Sequence, residues 1–319
     1  MQKKNRSIII IAGPTAVGKT RYAIETARAF QGEIISADSM QIYKYMDIGS
    51  AKPTQEEMAQ AAHHLVDRID PEEKFSVAEY QTLAKNCIEK IFEAGKTPIV
   101  SGGTGLYLNS LIYDMDFSVM PRQVGFREEL EKEAELYGVE HVHNRLRSLD
   151  REAAERIHPN NLKKVIRAIE VLESTGESIR KFEESFIPTK DYTCILIGLT
   201  RDREELYQRI DRRVEQIIQA GLVKEVASLR AKGLSEKNMS MKGIGYKEIL
   251  SYLRGEYDLD EAVRLVKRNT RHYAKRQLTW LRRYPDMIWF NISEFKTEED
   301  ALSAVIGKIA AASGKITPA

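Results

Sequence analysis

The 319-residue chain is poor in cysteine, tryptophan and proline, with two, two and nine of them. Cys87 and Cys194 lie far apart, without a Cys-x-x-Cys or histidine-rich context. That excludes a disulfide-stapled fold and a zinc site, and points to a reduced, cytoplasmic setting. No apolar run reaches the roughly 18 residues of a membrane span. The basic opening, Met1-Gln2-Lys3-Lys4-Asn5-Arg6, leads into a short strand pattern and not into the longer apolar segment of a signal peptide. An excess of one charge is also missing, since the formal net charge is +2. What remains, 42% hydrophobic and 30% charged residues, is enough for about two domains with proper cores. The charge is unevenly spread. Between 261 and 284, eight basic side chains face one acid, Glu261, so this stretch carries +7 and the rest of the chain −5. A basic helix on an otherwise acidic protein suggests a polyanionic partner.

The most informative stretch is Gly13-Pro14-Thr15-Ala16-Val17-Gly18-Lys19-Thr20. It matches G-x-x-x-x-G-K-[ST] in the right context: Ile8 to Ile11 read as a buried strand leading in, and Tyr22, Ala23, Ile24, Ala27 and Phe30 as a helical face leading out. Such a turn aims backbone N–H groups at an anion and adds the helix dipole. Lys19 supplies a point charge, and Thr20 a hydroxyl for a phosphate-bound magnesium ion.

Glu33 to Ala37 read as a second strand ending at Asp38. A loop from Ser39 to Thr54 follows, then a helix over 76–94. A third strand, Thr97 to Val100, runs into Ser101-Gly102-Gly103-Thr104-Gly105. This alternation predicts an α/β fold: a P-loop NTPase-like parallel sheet flanked by helices. Residues 116–190 show four helical patterns (Glu128 to Leu136, Val139 to Leu149, Arg151 to Ile157, Asn161 to Thr175) and no convincing strand. They predict an all-helical insertion over about 116–195, the core being 1–115 and 196–319. Strand returns at Cys194 to Leu199. A helix from Asp202 to Ala231 breaks at Gly221, the basic helix spans about Asp260 to Tyr284, and a last strand covers Asp286 to Phe290. An Ala-rich helix spans 297–312, and the final residues are expected to fray.

Asp38 ends a strand on the rim where open α/β sheets place their chemistry. It is a candidate to hold magnesium or to accept a proton. Gly102 to Gly105 end a strand on the same rim, where Thr104 can donate to a phosphate or a base. No aspartate ends this strand, as one would in many P-loop ATPases. In the helix from Asp202 the apolar stripe is Leu206, Ile210, Val214, Ile217 and Ile218. Helical geometry puts Arg213 about 20° outside it and Arg209 about 60°, with Arg212 on the opposite face. Arg213 and Arg209 are thus candidate clamps for developing negative charge. The helix carrying Arg271, Lys275 and Arg276 interleaves basic and aromatic groups, which suits phosphates and unpaired bases. His63-His64 has no ligand partner at metal spacing and reads as a turn or a packed pair. On these residues alone, a small-metabolite or nucleotide kinase, an RNA-binding NTPase and a nucleotide-modifying transferase all remain open.

The motif set narrows the choice. The phosphate loop, Asp38-Ser39-Met40-Gln41-Ile42-Tyr43, Met46-Asp47-Ile48-Gly49-Ser50-Ala51-Lys52-Pro53, Gly102-Gly103-Thr104-Gly105-Leu106-Tyr107, Arg156-Ile157-His158-Pro159-Asn160, Gly243-Ile244-Gly245-Tyr246 and Lys275-Arg276-Gln277-Leu278-Thr279-Trp280-Leu281-Arg282 together resemble the bacterial tRNA dimethylallyltransferases. The resemblance implies transfer of a dimethylallyl group from dimethylallyl diphosphate to N6 of the adenosine just 3′ of the tRNA anticodon. The loop then holds a diphosphate, although such loops are often labelled ATP-binding by analogy. It also implies that Asp38 is the base, that Thr20 serves magnesium and phosphate, and that Arg213 stabilises pyrophosphate. Asp38, Ser39, Met40, Gln41 and Thr104 would touch tRNA, as would Lys163, Lys164, Val165, Ile166 and Arg167. The expected partners are the tRNA anticodon stem-loop and dimethylallyl diphosphate, with Mg²⁺ as cofactor, no membrane, and a single chain as the working unit.

Overall fold

The computed structural model describes residues 6–115, 125–178 and 186–314. The expectations for the first five residues and for the C-terminal end, 315–319, lie outside the described residues. The chain divides into two compact units, one made of Met1–Ile112 with Thr189–Ala319, the other of Tyr113–Pro188.

The first unit is built on six strands: β1 (Ser7–Ala12), β2 (Gly32–Ala37), β3 (His63–His64), β4 (Thr97–Gly102), β5 (Thr193–Thr200) and β6 (Ile288–Asn291). Their order is β3-β2-β4-β1-β5-β6, and all pairings are parallel. β1 is central and its residues Ile8 to Ala12 are at most 1% exposed, which is why it reads as an unbroken apolar run. One sheet face, carrying Ile9, Ile11, Ile197 and Leu199, forms a core with helix α1 (Lys19–Ala29) and with Ala301, Val305 and Ile309 of the Ala-rich C-terminal helix (Glu298–Ser313). His63 and His64 are not a turn: they form the edge strand β3, registered on Ile34 and Ile35 of β2. His64 Nε2 meets Glu33 Oε2 at 2.6 Å.

Helix α2 (Gln55–Gln60) starts on a capping box from Thr54 and Glu57. Helix α3 (Val77–Glu93) starts on another, from Ser76 and Glu79, so each satisfies two end N–H groups reciprocally. Helix α4 (Gly105–Ile112) follows β4 directly.

The second unit contains α5 (Phe126–Tyr137), α6 (Val139–Leu149), α7 (Arg151–Arg156) and α8 (Leu162–Thr175). Its own core gathers Leu130, Val142, Leu146, Ala153, Val165, Ile166 and Ile169. Residues 189–195 belong with the sheet, because β5 already begins at Thr193.

The first unit closes with α9 (Arg203–Gln219), α10 (Leu222–Ala231), α11 (Tyr246–Leu253), α12 (Leu259–Leu281) and α13 (Glu298–Ser313). The break between α9 and α10 falls at Gly221.

Gly102, at the last paired position of β4, touches backbone: a Cβ there would lie 2.2 Å from Ala37 O of β2. Gly102→Ala must therefore push apart the two strand ends on the rim. It should lower stability by about 1–3 kcal/mol, as overpacking does, read as a lower urea midpoint at unchanged slope.

A phosphate loop braced by cations beside a divided cavity

The glycine-rich turn after β1 wraps as a phosphate loop, with Gly18 at φ 108° and Ala16 at φ 64°. Four of its carbonyls, those of Gly13, Pro14, Ala16 and Val17, each meet a cation. Lys19 Nζ donates to Gly13 O at 3.0 Å and to Pro14 O at 2.8 Å. Arg209 Nε donates to Ala16 O at 3.0 Å and Arg201 Nε to Val17 O at 3.1 Å. Arg201 is buried and also pairs with Glu205 and Glu298. Gly18, Lys19 and Thr20 open α1, where the first N–H groups have no intrahelical partner and face the anion position.

Asp38 follows β2 on the same rim, and its Oδ1 accepts Met40 N–H at 2.8 Å. Ser39 N–H donates to Thr104 Oγ1 at 3.1 Å, so the glycine loop after β4 fixes the segment carrying the carboxylate. Two cavities meet at Asp38. The larger, about 320 Å³, has Ile210, Val214, Ile217, Ile244 and Val266 in its walls. Its polar residues include Asp38, Arg213, Lys242, Lys247, Tyr273 and Arg276, with Thr15, Ser39, Ser50 and Thr270. The smaller, about 40 Å³, is lined by Lys19, Thr20, Ser36, Asp38, Gln41 and His63 among others. Asp38 and Thr20 give this smaller space hard oxygen donors, the chemistry magnesium prefers. Among the described residues no group of three or more His, Cys, Asp or Glu converges on a metal. An ion here fits only with oxygens brought by a ligand.

Electrostatics tie these groups together. Burial pulls Lys19 down to about 8, a fall that the Asp38 carboxylate opposes and Arg213 reinforces. Burial also pushes Arg213 below the usual arginine range, against the pull of Asp38. An arginine keeps its charge even so. Arg213 NH2 donates to Ala51 O at 3.4 Å, while Arg212 is exposed. Tyr273 is pushed up to about 12 by burial first and by Asp38 second, and it hydrogen-bonds the side chains of Thr104 and Gln277. It is a neutral donor at the mouth of the site.

The basic helix divides into two sets of charges. Arg271 pairs with Asp211 at 2.5 Å and Lys267 with Glu215 at 2.6 Å, both acids on α9. Arg264 pairs with Glu261. Arg268, Lys275, Arg276, Arg282 and Arg283 are exposed. Arg276 lies 5.7 Å over Tyr273 and Arg283 lies 5.2 Å over Trp280. Arg271 is thus a bracing residue between helices more than an open phosphate contact. In the second unit, Lys163 and Lys164 are exposed, but Val165 and Ile166 are 0% and 3% exposed. Their side chains belong to that unit's core, which corrects their reading as RNA contacts. Arg167 is held by Glu170 at 3.1 Å.

Some functional groups carry no local signal in the sequence. Glu225 accepts the N–H groups of Asp47, Ile48 and Gly49, and Tyr246 OH, which itself donates to Glu225, accepts Ser50 N–H at 3.1 Å. A Cβ on Gly49 would lie 2.6 Å from the Tyr246 ring. These contacts shape the loop beside the larger cavity, and they join residues nearly two hundred positions apart.

A phosphate loop on a parallel sheet, opening on a cavity with an apolar wall and one carboxylate at its edge, defines an enzyme of P-loop type. The IPP transferase family profile matches residues 41–284, and the chain belongs to that family. It is 53% identical over 94% of its length to the tRNA dimethylallyltransferase of Alkaliphilus oremlandii, covering 96% of that protein. The full-length tRNA isopentenylpyrophosphate transferase of Bacillus halodurans has a similar structure. The TM-score is 0.74 at 41% identity, covering 98% of this chain and 97% of that one. A eukaryotic dimethylallyltransferase described as acting on tRNA superposes with a TM-score of 0.85 at 28% identity, covering 98% and 81%.

The position of Lys19 makes a pH-dependent prediction. Its folded pKa lies below its unfolded value of 10.5, so the unfolded chain binds more protons between about pH 8 and 10.5. Without ligand, the Lys19 contribution to stability therefore rises across that window. A bound diphosphate reverses this by favouring the charged amine. Pyrophosphate binding above pH 8 should take up a proton, seen by calorimetry in buffers of different ionisation enthalpy, and Lys19→Met should abolish the uptake.

Proposed function

We propose that the chain transfers a dimethylallyl group from dimethylallyl diphosphate to N6 of the adenosine 3′-adjacent to the anticodon of tRNA, releasing diphosphate. The observation that carries this reading is the divided cavity at Asp38. Isoleucine and valine walls suit a branched hydrocarbon chain, and the loop beside them suits its diphosphate. A kinase would bring a ribose and a base, and neither calls for the apolar wall of Ile210, Val214, Ile217, Ile244 and Val266.

An exocyclic adenine amine is a poor nucleophile, because its lone pair is delocalised into the ring. The allylic C–O bond, in contrast, breaks readily once the leaving charge is neutralised. Lys19, the loop N–H groups and Arg213 supply that neutralisation in a site partly shut from water. Thr20 would help to hold a magnesium ion, which when bound would supply positive charge at the leaving group. As the N6–C bond forms and the C–O bond breaks, Asp38 accepts the N6 proton and the electron pair leaves with diphosphate. The exposed cations of α12, with Lys163 and Lys164, suit the RNA backbone, and Tyr273 suits an extruded base. Phosphate loop, carboxylate and basic helix come from one unit, so the reaction calls for one chain, in the cytoplasm where tRNA is found.

The test is mass spectrometry of an anticodon stem-loop RNA incubated with protein, magnesium and dimethylallyl diphosphate. One adenosine should gain one dimethylallyl group, and ATP in place of the prenyl donor should give none. Asp38→Ala should slow single-turnover transfer about 10²–10⁴-fold while RNA affinity changes little. Transfer at the wild-type rate would remove the base from Asp38.

Two adjacent arginines give a sharper contrast. Arg213→Ala should lose about 2–4 kcal/mol of transition-state stabilisation, the usual result of deleting one preorganised donor. Arg212→Ala, exposed, should lose well under about 1 kcal/mol. Single-turnover rates and urea midpoints of both variants separate a clamp from a packing role. Equal rates would end the assignment of Arg213.

A further inference from the structure

Gln277 is 5% exposed and lies on the inner face of α12. Its Oε1 accepts the N–H of Thr15 at 2.9 Å, and its Nε2 donates to Gly103 O at 3.1 Å. One side-chain amide thus bridges the phosphate loop after β1 and the glycine loop after β4. Space is reserved for it: a Cβ on Gly103 would lie 2.2 Å from Nε2. The next turn of the helix docks as tightly, since a Cβ on Gly105 would lie 2.4 Å from the Trp280 ring. Lys275 and Arg276, the residues just before Gln277, are exposed.

We propose that Gln277 is the positioning residue of the phosphate loop, holding Thr15 in register for diphosphate and tying the order of that loop to the helix that receives RNA. The inference rests on the transferase reading above. The physical reason is one of donors. The loop's own backbone bond runs from Val17 N–H to Pro14 O at 3.4 Å, and the Thr15 N–H goes to the Gln277 side chain instead. Gln277 supplies the missing acceptor from outside. The opposite polarity at its other end prevents the amide from turning over. RNA seated on the outer face and diphosphate in the loop would meet through the one helical turn that carries Lys275, Arg276 and Gln277.

The experiment measures binding of inorganic pyrophosphate with magnesium, by calorimetry, with and without an anticodon stem-loop RNA. The wild-type chain should bind pyrophosphate about fivefold or more tightly with RNA present, an ordinary coupling between two sites. Gln277→Met keeps the length and removes the hydrogen bonds to both loops, along with the contact to Tyr273. It should weaken pyrophosphate about tenfold and bring the RNA effect close to one, as loss of one net hydrogen bond's worth of ordering does. KM for dimethylallyl diphosphate should rise by a similar factor while kcat falls far less, and RNA affinity alone should hold. Ile309→Ala, in the core far along the chain, should lower the urea midpoint with no change in pyrophosphate affinity. That separates positioning from mere stability. If Gln277→Met fails to fold, Gln277→Asn keeps the amide, shortens its reach, and should weaken pyrophosphate in the same way. Wild-type affinity and RNA effect in the variant would overturn the inference. Failure of the wild-type chain to bind pyrophosphate would instead overturn the transferase reading.

Discussion

A loop that offers its own N–H groups to an anion has few of them left to hold itself in shape. This constraint governs the first unit. The loop must be fixed through its carbonyls and from outside, and four of its carbonyls are taken by Lys19, Arg209 and Arg201. The cations do two things with one contact. They consume the carbonyl oxygens that would repel a phosphate, and they raise the positive potential where it will sit. The cost is concentrated charge, visible in the lowered Lys19 and Arg213, and it is offset by Glu298 and Glu205 around Arg201 and by Asp38 across the cavity.

Asp38 is the carboxylate that Lys19, Arg213 and Tyr273 share. It opposes the fall that burial imposes on Lys19 and on Arg213, and together with burial it raises Tyr273 and keeps that hydroxyl neutral.

Much of this was legible in the residues. β1, α1 and β2 could be placed because a buried parallel strand is an apolar run and the loop between β1 and α1 is a spaced motif. Arg213 could be separated from Arg212 because helical periodicity is a local property. α4 was not separable: GLYLNSLI is buried on nearly all sides, so it has no polar face to mark its period. The +7 stretch could be counted, but Asp211 and Glu215, which neutralise Arg271 and Lys267, sit on α9. Only the packing of α9 on α12 shows which cations stay open. Val165 and Ile166 were grouped with their basic neighbours, although an amphipathic helix sends alternate parts of any five-residue segment to its core.

Glu225 stood in no motif, and Tyr246 and Gln277 stood in motifs without an individual role, for one shared reason. Each is a polar side chain whose partners are backbone groups of a distant loop. A backbone N–H has no sequence identity, so no spacing rule can announce such a contact. What the sequence does carry is the complementary absence: Gly49 and Gly103 lack side chains because Tyr246 and Gln277 occupy that space. A glycine on a strand-end loop, with no positive φ to explain it, marks the arrival of another group. At these two positions the group comes from a helix late in the chain. The rim of the early strands is thus completed only when α11 and α12 dock, and the helix that carries the exposed cations also bonds the phosphate loop.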